Sequence, residues 1–363
     1  MLSQRLDLDR PLWELWLVEG LTGGRWALIT KTHHAMIDGI GGRELMEALL
    51  DATPDATRPP PAAWRPSPPP SLLGLTASGI AGVARLPVDT ARALGGAARR
   101  ALTSPGSVVR AGAVRAYGLA SVGRSAVAPT HALNGPLGPH RRWGWARAEL
   151  ADIKRVKTAA GCSVNDVVLA AVAGGFREYL LARDEDVETT TIRSLVPVSV
   201  RTEEHSGQLG NHVTAMFAEL PVDVDGPRER LAVVAHQMTD LKGSGQSVGV
   251  ESMLAAADLV PATLMTLGAK VYALAGQRVV NTVTTNIPGP QQPLYLLGRR
   301  MLELFPYIPV AQSVRISIGI LSYDGHLTIG VTGDYDAVPD IDVLCEAIEE
   351  ALRELVDAVA PAR

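Results

Sequence analysis

The sequence predicts an α/β fold organised in two halves. Three observations point there: β-branched and aromatic runs alternate with helix-patterned ones, a proline-rich stretch interrupts them near residue 60, and one long apolar stripe closes the chain. The first element is a hairpin. LWELWLVEGL (12–21) and WALITKT (26–32) are apolar runs, and TGGR between them supplies a Gly-Gly turn. The second run ends directly in His33-His34. Asp38 then suits a helix cap, because its carboxylate can accept from the first free backbone N–H groups, and Leu45, Met46, Leu49 and Leu50 share one face of the next helix.

Residues 54–70 carry seven prolines between Pro59 and Pro70, which excludes helix and central strand and leaves an extended connector. The Ala/Gly-rich stretch 71–103 is broken at Pro87, and Val88 to Leu102 is amphipathic. Arg85, Arg92, Arg99 and Arg100 mark its polar side, which fits a surface helix packed on its own domain or one lying on a lipid surface. A second block begins near residue 131. Ser163 and Asp166 have capping-box spacing before the apolar helix VVLAAVAGGFREYLLAR. Strands follow at 189–201, 212–222 and 278–286, the last halted by IPGP. SVRISIGILSY (313–323), Asp324-Gly325 and HLTIGVTGDY (326–335) form a second hairpin with a strong turn signal. Ile341, Leu344, Ile348, Leu352, Leu355 and Val359 then form the stripe of a C-terminal helix. The expected division is 1–125 and 131–363, with no internal repeat.

The 363 residues suffice for two domains with a substantial core. A net charge of −4 gives no footprint for nucleic acid. Cys162 and Cys345 fit a reduced compartment better than a disulfide framework. MLSQRLDLDR lacks the apolar core of a secretory signal, and SLLGLTASGIAGVA (71–84) is too short to cross a bilayer, so the expected setting is cytoplasmic.

Three chemistries are weighed, two of them at KTHHAMIDGIGG (31–42). A metal site is disfavoured, because adjacent side chains on an extended segment point opposite ways and no third His or Cys stands at ligand spacing. A serine hydrolase is suggested by GQSVG (245–249), but the run before it, ERLAVVAHQMTDLKG, reads as helix where a nucleophile elbow needs a strand. The third reading makes one histidine a general base, taking a proton from an alcohol that attacks a carbonyl and returning it to the leaving group. No acyl-accepting Cys or Ser lies nearby, so direct transfer between two bound substrates is the simplest scheme. His131, His140, His205, His236 and His326 are read as structural.

HHAMIDG matches the HHxxxDG motif of the superfamily that holds chloramphenicol acetyltransferase-like enzymes and peptide-synthetase condensation domains. RPLWELWLVEGL (10–21), LNGPLGPHRR (133–142), VNDVVLA (164–170), PVSVR (197–201), GNHV (210–213), TNIPGP (285–290) and SYDGHLTIGVTGD (322–334) narrow it. Together they resemble the bacterial wax ester synthase/diacylglycerol acyltransferase family.

That resemblance implies two chloramphenicol acetyltransferase-like halves with mixed sheets, meeting at a tunnel. It implies acyl-CoA-dependent O-acyltransfer to diacylglycerol or a fatty alcohol, with acyl-CoA as co-substrate and no resident cofactor or metal. By the motif, His34 is the general base, His33 its neighbour, Asp38 a structural carboxylate and Gly39 the turn. Asn286, Thr284 and Thr285 become candidate donors to the oxyanion. Arg141 and Arg142, in a basic cluster with Arg147, Lys154, Arg155 and Lys157, could meet CoA phosphates, or form a solvated helix face. The peripheral surface of a membrane or lipid droplet is a possible station. Family members carry a further segment before RPLW, so the first half is expected to be incomplete, with an open sheet edge. A non-catalytic lipid-binding remnant, or a condensation-type enzyme, is the alternative.

Overall fold

The computed structural model describes residues 1–34, 36, 42, 45–46, 48–56, 71, 74, 76, 132–199, 213–243 and 279–359. The chain forms two compact units, one of Met1–Ala56, Ala126–Asp240 and Gln277–Arg363, the other of Thr57–Ser125 and Leu241–Gly276. The N-terminal hairpin and the central sheet both belong to the first unit. The connector 54–70 beyond residue 56, the 88–102 helix, Asp38, Gly39, His131, His205 and GQSVG lie outside the described residues.

The predicted N-terminal hairpin is present as β1 (Trp13–Leu21) and β2 (Arg25–Thr32), with Gly23 and Gly24 at positive φ in the turn. Its large apolar side chains are not enclosed: Trp13, Leu15 and Leu17 stay 55%, 45% and 56% exposed.

The core is a mixed sheet of six strands: β3 (Arg141–Glu149), β4 (Ile192–Ser199), β5 (Val213–Leu220), β6 (Thr282–Ile287), β9 (Ile316–Tyr323) and β10 (His326–Asp334). A two-residue pair, β7 (Tyr295–Leu296) and β8 (Arg299–Arg300), lies between β6 and β9 in the chain. The strand order in the main sheet is β3-β10-β9-β6-β4-β5. β6 runs parallel to both β4 and β9, while the other pairings are antiparallel. Every residue of β9, and all of β10 but His326, is buried, as their near-continuous apolar sequences require. The β9–β10 turn is the predicted one, with Asp324 and Gly325 at φ 45° and 86°, the paired positive values of a type I′ turn.

Among the described residues four helices accompany the sheet: α1 (Leu150–Ala160), α2 (Val164–Leu181), α3 (Pro227–Gly243) and α4 (Ile341–Val359). The capping box at α2 is real. Ser163 Oγ accepts from Asp166 N–H at 3.2 Å, and Asp166 Oδ2 accepts from Ser163 N–H at 2.8 Å. α4 buries the predicted stripe except at its last turn, where Val359 is half-buried. α2 packs on α4 through Gly175, where a Cβ would come within 2.4 Å of Ile348 Cγ1. Arg183 joins the end of α2 to Asp340, the residue before α4, and its guanidinium holds that carboxyl below the usual carboxylate range. Among the described residues no single helix is long and apolar enough to cross a membrane; α1 and α2 would qualify only as a pair, and they are bent by 103°.

The structure corrects one expectation. The basic run 141–157 is not one helix face: Arg141, Arg142 and Arg147 belong to β3, while Lys154, Arg155 and Lys157 belong to α1. In the segment after Asp38, Leu45 and Leu49 are helical, as expected, and 39% and 46% exposed.

Candidate functional site

β2 delivers the histidine pair. His33 N–H donates to the Leu12 carbonyl at 2.9 Å, extending the hairpin ladder by one step, and its own carbonyl accepts from Met36 N–H at 2.9 Å as the chain turns. Both His33 and His34 are exposed. Lys31, two residues before the pair, is held by Glu14 Oε2 at 3.3 Å and lies 5.4 Å from the centroid of a Trp16 ring. It also donates to the carbonyl of Gln4, so the N-terminal residues brace the same strand.

The second candidate group is on β6. Successive strand residues face opposite sides, so Thr284 and Asn286 share one face and Thr285 takes the other. Asn286 reaches the start of α2, where its Nδ2 stands 3.5 Å from Asn165 Oδ1, at the limit of a hydrogen bond. Thr284 is 2% exposed, and its hydroxyl accepts from Ser194 Oγ at 2.9 Å, inside the sheet. Thr285 lies in register with Gly319 and Gly330, across which the segment around Pro306 and Ile308 is laid. The three side chains therefore do not converge. Thr285 and Asn286 are both half-buried, and Asn286 stands beside a helix N-terminus whose dipole favours negative charge.

A strut joins the two groups. Residues 42, 45–46 and 48–49, beyond the histidines, are helical, and Asp51 after them pairs with Tyr295. Asp51 N–H donates to the Tyr295 carbonyl at 2.7 Å, and Tyr295 N–H returns to the Asp51 carbonyl at 2.8 Å. Tyr295 lies in the stretch that leaves β6 through IPGP. The chain after the histidine corner is thus tied to the chain after Asn286.

Arg141 and Arg142 are committed elsewhere. Arg141 donates to the carbonyls of Gly138 and His140 at 2.6 and 2.7 Å and stands 3.5 Å from the buried Asp334 carboxylate. Arg142, on the opposite face of β3, donates to the Tyr335 carbonyl at 2.9 Å and stacks 3.9 Å from that ring's centroid. Both fasten β3 to the end of β10.

The mixed sheet flanked by helices takes its class, the chloramphenicol acetyltransferase-like fold, from its likeness to solved structures. A wax ester synthase/diacylglycerol acyltransferase of Marinobacter aquaeolei superimposes with a TM-score of 0.62 at 24% identity, over 97% of this chain and 72% of that one. The first condensation domain of the CDA synthetase gives 0.53 at 18%, over 98% and 69%. These two likenesses show the fold.

The family is shown by sequence. Residues 1–168 match the wax ester synthase/diacylglycerol acyltransferase catalytic domain and residues 209–356 the C-terminal domain of the same family. A Mycobacterium tuberculosis protein named a probable diacylglycerol O-acyltransferase, tgs1, is 35% identical over 98% of this chain and 74% of its own length. A second from that species, tgs2, is 32% identical over 98% and 75%. The chain belongs to the wax ester synthase/diacylglycerol acyltransferase family.

Asn165, inside VNDVVLA, is the neighbour of Asn286 that the sequence did not single out. A signal for it exists: the second residue of a helix opened by a capping box must sit at the dipole's positive end, beside whatever strand end meets it.

Proposed function

We propose that this chain transfers an acyl group from acyl-CoA to the hydroxyl of diacylglycerol or of a long-chain alcohol, with His34 as general base. The observation that carries the reading is the exposed histidine pair at the exit of β2, in a chain whose 35% identical relative is named for diacylglycerol O-acylation. The imidazole of His34 takes the proton of the acceptor hydroxyl as its oxygen adds to the thioester carbonyl. The tetrahedral oxyanion collapses, the C–S bond breaks, and the imidazolium returns the proton to the CoA thiolate. No acyl-enzyme is required. Asn286 supplies an amide N–H to the oxyanion, and Asp38 and Gly39 complete the HHxxxDG motif. The reaction needs no metal or resident cofactor. Arg141 is not assigned to the CoA phosphates, because Asp334 and two carbonyls already occupy its guanidinium.

Incubating the purified chain with palmitoyl-CoA and an equimolar mixture of a diacylglycerol and hexadecanol identifies the acceptor. Triacylglycerol as the dominant ester is expected from the mycobacterial relatives; release of free palmitate alone would sink the transferase reading.

The exposed Trp13, Leu15, Leu17 and Leu21 favour a peripheral station on a lipid surface, where both the acceptor and the product dissolve. In vesicle flotation the wild-type chain is expected with the lipid, and a Leu15→Ser/Leu17→Ser variant in the aqueous fraction. Equal partition of the two would remove that role from the hairpin.

A further inference from the structure

We propose that Ser322, together with Gln291, is a positioning residue for acyl transfer, holding Asn286 in place through the IPGP turn. This rests on the reading of Asn286 as an oxyanion donor. In register, Asn286 pairs with Ile320 of β9, and Ser322 lies two residues further along that strand, on the same face. β6 ends at Ile287, and nothing in the ladder beyond fixes the direction of the chain. Ser322 fixes it. Its single hydroxyl oxygen accepts from Gly289 N–H at 3.2 Å and from Gln291 Nε2 at 3.0 Å, while the same amide donates to the Gly289 carbonyl at 2.9 Å. Asp324 N–H adds a bond to the Pro290 carbonyl at 3.1 Å. The approach is so close that a Cβ on Gly289 would lie 2.1 Å from the Ser322 carbonyl oxygen, a distance that no other residue tolerates without moving the backbone.

The latch continues toward the histidines. Leu294 N–H donates to the Tyr323 hydroxyl at 2.9 Å, that hydroxyl donates to the Met301 carbonyl at 3.0 Å, and Tyr295 then pairs with Asp51. Two neighbouring residues of β9 thus clamp the whole stretch between Asn286 and the chain beyond the histidine corner. Sub-ångström placement of donors relative to the reacting carbonyl governs rate more than binding. Loosening the latch should therefore lower kcat and leave KM for acyl-CoA near its wild-type value.

The test is a double-mutant cycle on kcat with palmitoyl-CoA and a diacylglycerol, with thermal midpoints measured alongside. Asn286→Ala alone is expected to cost roughly 10²–10³-fold in kcat, as loss of one oxyanion donor does. Ser322→Ala is expected to cost roughly 10–100-fold with KM little changed. In the Asn286→Ala background, Ser322→Ala should then cost no more than about twofold, because the group it positions is gone. Should Ser322→Ala not fold, Gln291→Ala, at an exposed side chain, replaces it in the cycle. Fully additive losses, or wild-type kcat in both latch variants, would overturn the proposal. Wild-type turnover in Asn286→Ala would overturn the oxyanion reading and the latch with it, an outcome that the single variant alone reveals.

Discussion

His34→Ala is expected to lower acyl transfer by roughly 10²–10⁴-fold, the range that a general base contributes to a proton transfer in the transition state. The loss should fall on kcat, because the imidazole acts as the hydroxyl proton moves and not while either apolar chain is being bound. His33→Ala is expected to cost less. The two backbone bonds at His33, from its N–H to the Leu12 carbonyl and from Met36 N–H to its own carbonyl, are retained by an alanine. Full turnover in His34→Ala would remove the base from this residue. A larger loss in His33→Ala than in His34→Ala would exchange their roles. The His34 side chain is exposed, so the folded fraction of His34→Ala should not change, and its circular dichroism melt should overlay that of the wild type.

Gly330→Val is expected to have the largest effect on stability. Gly330 and Gly319 stand side by side on β10 and β9, forming a trough in which Pro306 and Ile308 lie against the sheet. A Cβ at 330 would come 1.9 Å from the Pro306 carbonyl oxygen and 3.1 Å from Trp143 Nε1. The segment must lift, which breaks the Trp143 Nε1–H to Pro306 carbonyl bond of 3.2 Å and strains the one from Thr328 Oγ1 to the Leu304 carbonyl. Overpacking of this kind costs up to about 3 kcal/mol. At roughly 1–2 °C per kcal/mol for a chain of this size, the thermal midpoint should fall by roughly 3–5 °C. A melt unchanged within error would show that the segment is not held by the glycine trough.

Elements whose signals are local were legible in the sequence. Asp324-Gly325 demands positive φ at two successive residues, Ser163 and Asp166 carry their cap within one helical turn, and α4 shows its stripe residue by residue. β3 escaped because RRWGWARAE is rich in arginine and interrupted by Gly144. Its arginines find their charged and aromatic partners far away in sequence: Asp334 for Arg141, Tyr335 for Arg142 and Glu303 for Arg147. The segment LFPYIP (304–309) carries no period at all; its place is set by the two glycines of β9 and β10, which are remote in sequence. Alternation alone would have shown that Thr284 and Thr285 cannot face one cleft. Which of them stays accessible depended on Ser194, a residue on another strand. The histidine corner could be proposed as a site from its own residues, whereas the strut from Asn286 to Asp51 rests on a backbone pairing that no side-chain pattern announces.

Direct movement of an acyl group from CoA to a lipid hydroxyl is tested most sharply by stoichiometry. Purified protein is given palmitoyl-CoA and a diacylglycerol, and free CoA thiol and new ester are measured together over time. Thiol and triacylglycerol are expected to appear one for one from the first turnover, with no burst of thiol ahead of ester, because no acyl-enzyme forms. Thiol release without ester, or a burst equal to the enzyme concentration, would contradict direct transfer.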